Sequence, residues 1–192
     1  MSRGDNRGAL PAVVMVLAVV AGCADSAHTQ GAGPLQFSET VSRLCAPAVG
    51  DNPRATRVEP LWNRGTGPVV IEEITLTSAE GMTLVEAVLV PVPGTDPEDG
   101  TVTLVPANDA GYPPSPETLG SSFGAVDAWA AREQTVGATI EPDKEFSLAV
   151  GLEAADGSGS IKAIRAVYRD EAGRRFEAVA QTEVRIPRCA EE

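Results

Sequence analysis

The stretch Glu145-Phe146-Ser147-Leu148-Ala149-Val150-Gly151-Leu152-Glu153 alternates large apolar residues with small or charged ones. Successive side chains of a strand point to opposite faces, so Phe146, Leu148, Val150 and Leu152 share one face. Glu145, Ser147, Ala149, Gly151 and Glu153 share the other. Residues 175–186 repeat the pattern. Phe176, Ala178, Ala180, Thr182, Val184 and Ile186 lie on one side, and Arg175, Glu177, Gln181, Glu183 and Arg185 on the other. Val179 is the exception. Ile164, Ala166 and Tyr168 mark a strand between these two, and Asp170-Glu171-Ala172-Gly173 supplies the residues of a hairpin turn. The alternating Arg and Glu of the last strand predict a solvated face with cross-strand ion pairs.

The N-terminal half follows the same period less regularly. Val58, Pro60 and Trp62 line one face of a strand, and Pro60 points to an edge position. Asn63-Arg64-Gly65-Thr66-Gly67-Pro68 is a turn, and Val69–Thr77 the next strand. Its phase slips at Glu72-Glu73, which reads as a bulge. Glu80-Gly81 leads into Met82–Val92, a nearly continuous apolar run that predicts a central strand. An antiparallel sheet with one apolar face needs a second layer over it. About seven or eight strands without a long amphipathic helix predict an all-β chain, an antiparallel β-sandwich of the immunoglobulin-like kind.

Residues 93–135 break the rhythm with six prolines, many glycines and one short strand candidate, Thr101–Val105. Connections this long inside a compact domain are functional or disordered as a rule. Tyr112, Phe123 and Trp129 argue against full disorder, and they are the candidate binding residues, because aromatics anchor interfaces. The competing reading folds the segment over an open end of the sandwich, with Trp129 and Phe123 plugging the core. That reading is preferred for those two, and the alternatives stay level for Tyr112. Val126, Trp129, Ala130 and Glu133 have helical spacing, which predicts a short helix near 125–133.

The first 22 residues read as an export signal: Arg3 and Arg7, an apolar stretch from Ala9 to Val20, then Ala21 and Gly22. The stretch is shorter than the ~20 residues a spanning helix needs. Val20-Ala21-Gly22-Cys23 resembles the lipobox of bacterial lipoproteins, in which the cysteine sulfur takes a diacylglyceryl group and becomes the new N-terminus. Two acyl chains anchor stably where one binds only marginally. Ala24 to Pro34 is rich in small polar residues and reads as a flexible tether, so residues 23–34 link the anchor to a domain spanning 35–192.

Losing Arg3, Arg7 and Asp5 from 15 basic and 27 acidic residues leaves 13 and 26, a net charge of −13. So acidic a surface repels nucleic acid phosphates and anionic lipid surfaces, and no nucleic-acid partner is expected. Cys45 and Cys189 remain near the two ends of the domain in an oxidising compartment, which predicts a disulfide between them. The VAGC run and the stretch Leu61-Trp62-Asn63-Arg64-Gly65-Thr66-Gly67-Pro68-Val69 together resemble the membrane-anchored lipoproteins of high-GC Gram-positive bacteria that carry one immunoglobulin-like domain. The resemblance implies a location on the outer face of the cell membrane and a fold, and no activity. An antibody-type domain frames a core Trp with its disulfide, whereas Cys45 and Cys189 would tie the chain ends.

Chemistry is mostly excluded. His28 is the single histidine and lies in the tether, which removes Ser-His-Asp and Cys-His catalysis and histidine metal sites. No G-x-S-x-G, P-loop or dinucleotide fingerprint is present. Asp96, Glu98 and Asp99 before Gly100 resemble part of a calcium loop without its distal Glu, and read as a solvated turn. The sequence thus predicts a non-enzymatic envelope protein without cofactor or metal, acting on an unknown envelope protein through an edge strand or the 93–135 segment. The alternative is a binding protein for a small molecule or cell-wall glycan, with a pocket under that segment. Buried Tyr112 and Trp129 with no cleft would count against it.

Overall fold

The computed structural model describes residues 30–92, 108–109 and 111–187, the first three and residues 108–109 by backbone alone. In chain order the strands are β1 (Gln30–Ala32), β2 (Leu35–Phe37), β3 (Ser42–Cys45), β4 (Arg54–Asn63), β5 (Val69–Thr77), β6 (Met82–Pro91) and β7 (Asn108–Asp109). Two short helices follow, α1 (Pro116–Gly120) and α2 (Ala125–Ala130). The remaining strands are β8 (Glu133–Gln134), β9 (Thr139–Ile140), β10 (Glu145–Ala154), β11 (Gly159–Ile161), β12 (Ala163–Asp170), β13 (Arg175–Ala180) and β14 (Thr182–Ile186).

One sheet runs β2-β4-β10-β6-β8 and the facing sheet β1-β13-β12-β5-β9. Take β2, β4, β5, β6, β10, β12 and β13 as A to G. The sheets then read A-B-E-D and G-F-C, the seven-strand immunoglobulin order. The fold is an immunoglobulin-like antiparallel β-sandwich. A third sheet, β11-β14-β3, closes the end where β10 finishes, and two pairings are parallel, β1 with β13 and β3 with β14.

The alternation of β10 is realised over its whole length: Leu148, Val150 and Leu152 are fully buried between the sheets, with Phe146 packed beside them. β12 contributes Ile164, Ala166 and Tyr168 to the same core. The predicted turn is present: Gly173 N–H donates to Asp170 O, and Asp170 Oδ1 accepts from Arg174 N–H at 2.9 Å. The bulge falls at Glu72, where β12 pairs Val167 with Glu73 and Tyr168 with Ile71. Val69 and Ile71 point inward before it, Ile74 after it, because one extra residue reverses the phase. The solvated face of β12 and β13 carries its ion pairs, Arg165 to Glu177 at 2.9 Å and Arg175 to Glu72 at 3.0 Å.

Four expectations change. Residues 175–186 form two strands in two sheets, since the chain leaves β13 at Gln181 and β14 pairs with β11 and β3. Met82–Pro91 is next to the sheet edge, covered on its far side, among the described residues, by β8 at Val88 and Leu89 and by Thr135 N–H at Ala87 O. Its apolar run arises because a bulge at Val85 shifts the phase, and because Val88 and Val90 face a second buried layer. Val58, on the apolar face of β4, points away from the inter-sheet core. Ala55, Arg57, Glu59, Leu61 and Asn63 form the inward face, by the period of two. Arg57 and Glu59 pair at 2.6 Å beside Ser42 and Thr182, and Asn63 bonds Gly67 O, Ile140 O and Gly65 N–H, so their burial is compensated. Pro60 sits where the outer side of β4 is unpaired among the described residues, between its partners β7 and β2. Lastly, the expected tether over residues 23–34 is already paired at Gln30 and Ala32, ahead of Leu35.

Candidate functional site

Residues 111–130 lie on the outer face of the β4-β10-β6 sheet. They do not close an open end of the sandwich. Ser115 caps α1, its Oγ accepting from Thr118 N–H at 3.0 Å, with Pro116 in the first turn where a missing N–H costs nothing. α2 turns Ala125, Ala128 and Trp129 toward the sheet. They pack with Leu119 against Val58, Val88, Val90 and Ala149. The helix falls within the expected residues, yet its buried side differs from the expected one: Val126 is 54 % exposed. Small alanines face inward because they let the helix approach the sheet closely.

Trp129 is buried at 8 % exposure, under the cap as well as part of it. The Arg132 guanidinium lies 4.9 Å above its ring and donates to Trp129 O at 2.8 Å. Tyr112 is half-buried and meets Trp129 edge to face at 6.3 Å. Its ring lies directly on Gly151, where a Cβ would stand 2.5 Å from the ring carbons. Its hydroxyl donates to Glu86 Oε2, and Gln134 Nε2 donates to Glu86 Oε1 at 2.7 Å. These two hydrogen bonds hold the Glu86 carboxyl below its ordinary value. Burial first, and the adjoining carboxylate second, push the Tyr112 phenol well above its own.

Phe123 behaves otherwise. It lies between the helices at 45 % exposure and does not plug the core, because α2 reaches the sheet through its alanines and Trp129 alone. The three aromatics therefore separate into a buried pair, Tyr112 and Trp129, and an exposed residue, Phe123, with Val126 three positions on. Sequence reasoning missed Glu86, Gln134 and Arg132. Gly151 was readable, since a glycine inside a strand marks a close approach.

Several concavities lie elsewhere on the described surface. One of about 340 Å³ lies among Pro34, Gly65, Pro68, Asp170, Glu171 and Arg174, and one of about 410 Å³ between β2 and β13. Neither is lined by Tyr112, Trp129 or Phe123. Among the described residues no cluster of three metal-ligating side chains occurs, and no helix is long and apolar enough to cross a membrane. Asp96, Glu98, Asp99, the strand candidate 101–105, Cys23 and Cys189 lie outside the described residues.

No family description and no curated protein matches the chain. Two solved structures are similar to it at a distance. The secreted serine protease VesC from Vibrio cholerae matches at 5 % identity and a TM-score of 0.34, covering 78 % of this chain and 23 % of that one. The ASH/PapD-like domain of human CEP192 (PapD-like domain 7) matches at 12 % identity and a TM-score of 0.24, covering 81 % and 82 %. The chain thus spans under a quarter of the protease. At these scores neither likeness carries an argument about function.

Proposed function

We propose that this chain is a non-enzymatic lipoprotein, held by a lipid on Cys23 at the outer face of the cell membrane, that docks another envelope protein on its helical cap. The observation behind this reading is the exposed pair Phe123 and Val126, at 45 % and 54 %, on a cap fixed to the sheet by Trp129 and Tyr112. An apolar pair on a rigid support costs little ordering entropy when it is covered. Tyr112 and Trp129 are engaged in holding the cap, which leaves the exposed pair Phe123 and Val126 to meet a partner.

A Cys45–Cys189 disulfide belongs to the same reading. Cys45 pairs in register with Arg185 across β3 and β14, and Cys189 follows Arg185 by four residues. Non-reducing peptide mapping of the native protein should yield one peptide pair containing both cysteines.

The test of the docking surface is crosslinking in intact cells. A reproducible envelope protein should be captured by the native chain and lost in the double variant Phe123→Ser, Val126→Ser, whose thermal unfolding stays unchanged. Capture of the same protein by the double variant would sink the reading.

A further inference from the structure

We infer that the end of the sandwich carrying connections 64–68, 141–144 and 171–174 faces the lipid headgroups, and that the third sheet points away from the membrane. This rests on the lipid-anchor reading of Cys23, and adds to it which surface meets the bilayer.

The entry point of the chain is fixed at that end. β1 runs parallel to β13 with Gln30 opposite Phe176 and Ala32 opposite Glu177, next to the turn that begins β13. Gly33 then passes so close to the Tyr168 hydroxyl and the Phe176 ring that a Cβ would stand 2.4 and 2.7 Å from them. Pro34 O accepts from Arg64 N–H at 2.9 Å, and Leu35 N–H donates to the Tyr168 hydroxyl at 3.1 Å. The two sheets thus share the hold on this crossing, and it cannot swing to another face without breaking core contacts.

The length of chain before it decides the rest. Cys23 to Gln30 is seven peptide steps, at most about 25 Å when fully extended. The ten residues of β10 alone span about 33 Å. A tether shorter than the domain cannot let the domain turn its far end, β11-β14-β3, to the surface that holds the lipid.

The chemistry of the near end suits headgroups. Arg64, Lys144 and Arg174 are exposed there beside Glu141, Asp143, Asp170 and Glu171. Among the described residues, Asp170 and these three connections hold three cations against four carboxylates, a net charge of −1 in a strongly acidic chain, so anionic lipid repels them less than it would the average surface.

The experiment uses the full lipidated protein in phosphatidylethanolamine–phosphatidylglycerol vesicles that also carry a nickel-chelating headgroup lipid. Spin labels are placed by A172C at the near end and S158C at the far end, both exposed positions. Nickel should relax the label at 172 several-fold more than the label at 158. Equal or reversed relaxation overturns the inference. Inserting about 20 Gly/Ser residues after His28 should remove most of the difference, and an undiminished difference would show that the tether is not its cause. A separate control reports on the anchor itself: the Cys23→Ser protein should fail to float with the vesicles, and equal flotation would reject lipidation, not the geometry of the entry strand.

Discussion

The two faces of β10 are both buried, and they are made of opposite materials. The inner face presents Phe146, Leu148, Val150 and Leu152 to the facing sheet, and the outer face presents Ser147, Ala149 and Gly151 to the cap side. Two sheets pack about 10 Å apart, a gap that large side chains must fill. The cap instead lies on the strand itself, Tyr112 on the bare backbone of Gly151, so the side chains beneath must be small. Small and polar residues on a strand face therefore mark a solvated surface or a close-packed second layer, and the pattern alone does not separate the two.

The comparison breaks hardest on the inner face. Leu148→Ala should cost about 2–5 kcal/mol in urea unfolding, the range for a fully buried leucine. On the outer face the sign of the volume change inverts: Gly151→Ala should cost about 1–3 kcal/mol, because the added methyl meets the Tyr112 ring. A neutral outcome there would mean that the ring does not seat on β10.

Tyr112→Phe keeps the ring and removes the hydroxyl donated to Glu86, at about 1–2 kcal/mol. It should also change the acid response. The folded Glu86 carboxyl lies below its unfolded value of about 4.5, so its stabilisation is present above that pH and lost as pH falls through the folded value. The native protein should lose more stability than Tyr112→Phe across that interval, and identical acid limbs would contradict the assignment. The Tyr112 phenol is shifted the other way: its share holds below pH 10 and fades as pH rises above it.

Smaller effects sharpen the contrast. Ser147 Oγ is buried without a hydrogen-bond partner among the described residues, so Ser147→Ala should leave stability unchanged or raise it by up to about 1 kcal/mol. A clear loss would reveal a partner for the hydroxyl. Phe123→Ser should change the unfolding free energy least of all, within about 0.5 kcal/mol, because the side chain is 45 % exposed and belongs to neither buried cluster.

Much of this was legible in residues. The period of two located β10, β12 and β13, the Asp170–Gly173 turn followed from its composition, and the phase slip at Glu72-Glu73 located a bulge. The candidate site was legible in part: the segment, a helix near 125–133 and the burial of Trp129 were found, while the outer sheet face that buries Trp129 and the exposure of Phe123 were not. Trp129 and Phe123 have the same standing in sequence, and only the packing of α2 through Ala125 and Ala128 buries one and exposes the other.

The sequence by itself determined that this is an all-β sandwich, where most of its strands lie and how acidic its surface is, because alternation and charge are local properties of a chain. Tertiary structure alone decided what covers each face. It turned Val58 outward and the Arg57–Glu59 pair inward, broke the last ribbon at Gln181, and set the chain's entry beside Phe176. The physical reason is that a strand's period defines two faces without naming their partners. Those partners come from residues far along the chain, and burial is a property of the pair.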